Sequence, residues 1–66
     1  MPLIVFEVGG KITYEQKKEL VQRLTRVSAE VTGIPDEAFV IYIHENSYDN
    51  TGIGGKLLTQ INAESE

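Results

Sequence analysis

The sequence predicts an α+β fold: one β-α-β unit with parallel strands that completes itself by pairing with another copy. Three observations carry this. The hydrophobic pattern changes period twice, from a short apolar run to a long amphipathic stretch and back to a short apolar run. The middle stretch is long enough to be a crossover helix, so the strands on either side run parallel, joined by a right-handed connection. At 66 residues the chain is a single domain, 1–66, and one helix on two strands cannot close a core alone. Two such units together make a four-stranded sheet with two helices.

The first strand is expected at Leu3–Val8, ended by Gly9-Gly10. Ile4, Phe6 and Val8 share one face, and Leu3, Val5 and Glu7 the other. Both faces are largely apolar, as in a strand covered on both sides. A helix follows from Thr13 to about Thr32. Thr13 and Gln16 have the spacing of a capping box, in which each side chain bonds the other's backbone amide. Leu20, Leu24, Val27 and Val31 form one apolar stripe, Gly33 stops the helix and Pro35 forbids its continuation. The second strand is expected at Phe39–Glu45, with Phe39, Ile41 and Ile43 on a core face and Val40, Tyr42 and His44 on a mixed face. A polar loop, Asn46–Thr51, leads to Gly52-Ile53-Gly54-Gly55. Lys56–Ile61 suits a helical turn or a short strand, and Asn62–Glu66 a frayed end.

Composition removes several function classes. The net charge is −4 with no basic run, which argues against nucleic acid as a partner. No apolar run reaches the roughly 18 residues of a membrane span, and the start lacks the basic segment of a signal peptide. With no cysteine there is no disulfide staple, and no His/Asp/Glu cluster has metal-ligand spacing. A cytoplasmic protein without metal or cofactor, stabilised by oligomerisation, is the expectation.

Four places carry candidate chemistry. Removal of Met1 would leave Pro2 as a terminal secondary amine; an α-amino group titrates at about 7.7–8.0 and lower in an apolar setting. Such a group is a competent general base near neutrality. The alternative is that Pro2 merely starts a strand, where its missing N–H is harmless. Gly9-Gly10-Lys11 ends a parallel strand, where α/β folds gather ligands, so Lys11 and nearby amides are candidates for holding a carboxylate, against an ordinary solvated turn. Gly52-Ile53-Gly54-Gly55 lacks the spacing of a phosphate loop and is either a flexible turn or a segment fitted closely against a neighbouring subunit. Tyr42 and His44 share a strand face and are either substrate contacts or surface residues.

Met1-Pro2 before an apolar strand, Glu15-Gln16-Lys17 opening the helix, and the late Gly52-Ile53-Gly54-Gly55, at these separations, resemble the 4-oxalocrotonate tautomerase family over nearly the whole chain. The resemblance implies a tautomerase-like fold, in which β-α-β units pair into ferredoxin-like four-stranded dimers and three dimers make a hexamer. It also implies an isomerase of the kind met in aromatic degradation, whose amino-terminal proline, here Pro2, carries a proton between a dienol oxygen and carbon.

The sequence departs from the family at three positions. Anchored on Glu15-Gln16-Lys17, the family's first-loop arginine falls on Ile12, with Lys11 as its neighbouring stand-in. The family's second arginine falls on Val40, and the aromatic residue before the glycine motif on Thr51. A lysine holds a carboxylate as a point charge, without the bidentate fork of arginine. The expected reaction is keto–enol tautomerisation of a small unsaturated 2-hydroxy acid such as 2-hydroxymuconate, with Pro2 as base and Lys11, Gly9, Tyr42 and His44 as substrate contacts. Three alternatives are the same base acting on a phenylpyruvate-like enol, the same base acting on a halogenated acrylate, and a non-catalytic oligomeric module.

Overall fold

A computed structural model describes residues 1–64 of the chain. Strand β1 (Leu3–Gly9) is followed by helix α1 (Tyr14–Thr32), a 3-10 turn at Asp36–Ala38 and strand β2 (Val40–Asn46). A second 3-10 turn at Tyr48–Asn50 leads into a small hairpin, β3 (Gly52–Ile53) and β4 (Lys56–Leu57), and then helix α2 (Leu58–Glu64).

β1 and β2 pair in parallel, from Leu3 opposite Val40 to Gly9 opposite Asn46. That register sets the two faces of the sheet. Ile4, Phe6 and Val8 align with Ile41, Ile43 and Glu45, and Lys17 of α1 bonds Glu45, so this is the helix-covered face. Leu3, Val5 and Glu7 align with Val40, Tyr42 and His44 on the open face. The expected capping box is formed: Gln16 N–H donates to Thr13 Oγ1 at 3.1 Å, and Thr13 N–H to Gln16 Oε1 at 2.8 Å. Gly33 closes α1, its N–H reaching the Ala29 carbonyl at 2.8 Å.

Several boundaries and faces differ from the sequence reading. Phe39 lies just outside β2, because the Asp36–Ala38 turn ends with Phe39 N–H bonded to the Asp36 carbonyl. Asn46, expected in a loop, is the last residue of β2. The stripe of α1 is only half covered: Leu20 and Leu24 are partly buried together with Ser28 and Ala29, while Val27 and Val31 are 58% and 81% exposed. The covered line has rotated from Val27 and Val31 to their small neighbours.

Gly52-Ile53-Gly54-Gly55 is a hairpin turn. Gly54 and Gly55 both have positive φ, 60° and 88°, the requirement of a tight two-residue hairpin loop. Lys56–Ile61 contains both a short strand and the start of a helix, and α2 runs through Glu64, so Asn62–Glu64 are helical rather than frayed. The last two positions of the expected frayed end, 65 and 66, lie outside the described residues.

None of the described residues is fully enclosed. The radius of gyration is 15.8 Å, against about 11 Å for a compact chain of this length. The accessible surface is 5152 Å², against roughly 4,200 Å² for a compact monomer of this mass. The apolar side chains are aligned, but one copy does not cover them. Among the described residues no helix is long and apolar enough to cross a membrane.

Candidate active site

Pro2 stands at the entry to β1, preceded by Met1, which is 94% exposed. The Pro2 carbonyl accepts a hydrogen bond from Val40 N–H at 3.1 Å, so the residue is tied to the first rung of the sheet although it donates nothing to it. With Met1 attached, the Pro2 nitrogen is an amide and has no basic lone pair. A free amine at this position would be held by the same carbonyl bond.

Gly9 and Lys11 are at the opposite end of β1. At ~3.3 Å per residue the strand separates Pro2 from Gly9 by roughly 23 Å. One chain therefore does not bring Pro2 and Lys11 together. Tyr42 and His44 lie between, on the open face; His44 is four residues beyond Val40, roughly 13 Å along β2 at the same rise per residue.

The loop after β1 is tied down by hydrogen bonds at both ends. Gly10 has φ 88° and donates its N–H to the Asn46 carbonyl at 2.8 Å. The ring of Tyr48 packs over Gly9 and Gly10; a Cβ added at Gly10 would lie 3.5 Å from the Tyr48 hydroxyl. Ile12 N–H donates to Glu45 Oε2 at 3.1 Å, and Lys17 Nζ donates to Glu45 Oε1 at 3.0 Å. The Lys17 bond, and after it the Ile12 amide, hold the Glu45 carboxyl below the usual glutamate range, with Lys11 adding a weaker Coulombic pull. Lys11 itself is exposed.

A second polar group occupies the open face. Asn46 Nδ2 donates to Glu7 Oε1 at 2.9 Å, and His44 Nδ1 is 2.8 Å from Glu7 Oε2. The Asn46 bond first, then the His44 bond, hold the Glu7 carboxyl below its ordinary range. An ionised carboxylate only accepts, so Nδ1 is the donor in this bond. The rings of Tyr42 and His44 are tilted neighbours with centroids 6.2 Å apart. Beside this group, at the carboxyl ends of the two strands, Glu7, Gly9, Asn46, Asn50 and Thr51 line a cleft of about 330 Å³. Among the described residues no three His, Asp or Glu side chains are grouped to hold a metal ion.

The tautomerase enzyme family matches residues 2–61, almost the whole chain and including both ends of this arrangement. The chain belongs to the tautomerase family. As a tautomerase-family protein it is an enzyme of the isomerase class. It is 37% identical over 59 residues to a probable tautomerase of Bacillus cereus, covering 89% of this chain and 97% of that one. It is 33% identical over 61 residues to the 2-hydroxymuconate tautomerase of Bacillus subtilis, covering 92% and 98%. The crystal structure of a 4-oxalocrotonate tautomerase homologue superposes with a TM-score of 0.82 at 29% identity, covering 89% and 94%. The fold of this tautomerase-family chain, two parallel strands with a helix between them, is that of its structural neighbours.

Sequence reasoning did not single out Glu7, Glu45, Asn46 or Tyr48 as site residues. For the glutamates a signal was present. Glu45 is the next residue in the alternation Ile41, Ile43 on the helix-covered face, and Glu7 the next in the alternation Leu3, Val5 on the other. A carboxylate continuing an apolar register requires partners, and both have them. Tyr48 carried no such signal, since its contact with Gly9 and Gly10 depends on how the 3-10 turn folds back.

Proposed function

We propose that the chain interconverts enol and keto forms of a small unsaturated 2-hydroxy acid, of the type of 2-hydroxymuconate, with the amine of Pro2 as proton carrier once Met1 is removed. The observation that carries this reading is the anchoring of Pro2. Its carbonyl is bound to Val40 N–H at 3.1 Å, so a terminal amine there would be fixed at the sheet end rather than carried on a loose tail. Family membership and the likeness to a relative named 2-hydroxymuconate tautomerase support the substrate class.

The chemistry balances without a redox partner. The neutral amine takes the proton of the 2-hydroxyl; the O–H electron pair forms the carbonyl and the diene electrons move toward carbon. The ammonium then returns the proton to that carbon, leaving Pro2 neutral. A cation and backbone amides near the carboxylate and the developing dienolate would lower the barrier. Lys11 and the amides beside Gly9 are assigned this role, and Tyr42 and His44 a contact on the open face.

This assignment requires more than one copy. Lys11 and Pro2 are at opposite ends of β1 in any one chain, so the two reach one substrate only if different copies contribute them. Association is supported as well by the described residues, none of which is enclosed in the single chain. A homo-oligomer of dimers, a hexamer by resemblance, is therefore part of the proposal, as is a cytoplasmic location. The net charge of −4 repels a dicarboxylate at long range, which gives Lys11 its importance.

The test is ketonisation of 2-hydroxymuconate, followed by ultraviolet absorbance, with Met1-free protein and its Pro2→Ala variant. The variant is expected to lose about two orders of magnitude or more in kcat/KM, the range of a removed general base. A rate in the variant equal to that of the parent discards Pro2 as the base. No catalysis by either protein discards this substrate class, and phenylenolpyruvate is then the substrate to assay.

A further inference from the structure

We propose that Glu45 is a positioning residue for the substrate carboxylate, holding the loop that presents Lys11. The inference rests on the reading of Lys11 given above and goes beyond it by naming what orients that lysine.

Between β1 and α1 the chain has only a few residues, and their amides are nearly all allotted. Gly10 N–H goes to the Asn46 carbonyl, Ile12 N–H to Glu45 Oε2 and Thr13 N–H to Gln16 Oε1, at 2.8, 3.1 and 2.8 Å. Among the described residues the Lys11 N–H has no acceptor. The loop thus commits the amides on both sides of Lys11 and leaves that residue exposed with its own N–H uncommitted.

Of these bonds the one donated by Ile12 N–H goes to a side chain distant in sequence, Glu45. Glu45 sits at the end of β2 on the helix-covered face, in register with Val8. Its two oxygens go to two different elements, the loop at Ile12 and the helix at Lys17. The carboxylate therefore ties the end of β2 to the start of α1 across the loop. It also engages Lys17 in an ion pair at 3.0 Å, so Lys17 neutralises the bracket, while Lys11 is exposed and acts on Glu45 only through a weaker Coulombic pull.

The charge of Glu45 makes the proposal decidable. A carboxylate near a lysine that binds an anion opposes that anion electrostatically. If Glu45 acted only through its charge, removing it would tighten the binding of a dicarboxylate. If it acts by holding the loop, removing it weakens binding, because Lys11 and its amide lose their fixed position. The two roles have opposite signs in KM.

Kinetics with 2-hydroxymuconate on Met1-free protein test this in four forms: parent, Lys11→Ala, Glu45→Ala and the double variant. Glu45→Ala is expected to raise KM about tenfold while kcat changes by less than about threefold, the pattern of lost ground-state binding. The double variant should be no worse than Lys11→Ala, since Glu45 acts through that residue. Glu45→Gln keeps an oxygen for Ile12 N–H and should recover part of the loss.

An unchanged or lowered KM for Glu45→Ala overturns the inference, and so does full additivity in the double variant. Lys11→Ala with an unchanged KM overturns the reading of Lys11 itself, and the inference with it. A raised KM for Lys11→Ala beside an inert Glu45→Ala removes the inference alone. If Glu45→Ala does not assemble, as judged by circular dichroism and light scattering, the cycle is run with Glu45→Gln. A KM rise of about threefold is then expected, and its absence overturns the proposal.

Discussion

Gly10 holds a φ of 88° directly under the ring of Tyr48, at the point where β1 turns toward α1. A side chain there would meet Tyr48 at ordinary contact distance, so the penalty comes from the left-handed backbone and not from crowding. Gly10→Ala is expected to cost about 1 kcal/mol, read from the urea midpoint of unfolding. The fold holds the carboxyls of Glu7 and Glu45 below the ordinary glutamate range. A lowered folded pKa means that each contributes stability above the unfolded value, near 4.3. That contribution is lost as the pH falls from there through the folded pKa, so these groups give no pH dependence near neutrality. Asn46 is the larger cause at Glu7. Asn46→Ala should therefore move the Glu7 titration upward toward the ordinary range, followed by the side-chain carboxyl carbon in an NMR pH series; an unmoved titration would discard the Asn46 bond as its cause.

α1 is determined at its start by local chemistry and along its length by tertiary contact. The Thr13–Gln16 capping box satisfies two amides that the helix itself cannot. Thr13→Ala should lower stability by about 1 kcal/mol, measured by thermal or urea unfolding. The helix also carries valines on solvent: Val27 and Val31 are exposed although they continue the line of Leu20 and Leu24. The periodicity of the sequence was right about the stripe and silent about which part of it the sheet covers. The same limit applies to β2, where alternation extends the strand to Phe39 and the preceding 3-10 turn keeps that residue out of it.

At the scale of the whole molecule, the arrangement has its order without its cover. Leu3, Val5 and Tyr42 are each about half exposed on the open face of the sheet. The surface exceeds that of a compact monomer by roughly 900 Å², close to the area one partner buries in a stable interface. In the proposed oligomer, folding and association are one equilibrium. The melting temperature should rise with protein concentration, by about a few degrees per tenfold, and a melt independent of concentration would contradict it. Val5→Lys, which puts a charge on the open face, should yield a dissociated and largely unfolded chain by light scattering and circular dichroism. The parent at the same concentration should be folded and larger than one chain.

From the sequence alone came the β-α-β order, the parallel pairing, the helix caps, the need for a partner and, through resemblance, the tautomerase family and the candidate base at Pro2. These are legible because each depends on neighbours a few residues apart: strand alternation, a four-residue capping box, glycines at turns, an apolar start after Met1-Pro2. Only the tertiary structure decided that Glu45 joins the loop to the helix and that Glu7, His44 and Asn46 form one group. Those facts depend on strand register, and register is a property of two segments separated by more than thirty residues. A shift of one residue would exchange the faces of β2 and undo the bonds of Glu7 and Glu45, and nothing in either segment read alone specifies it.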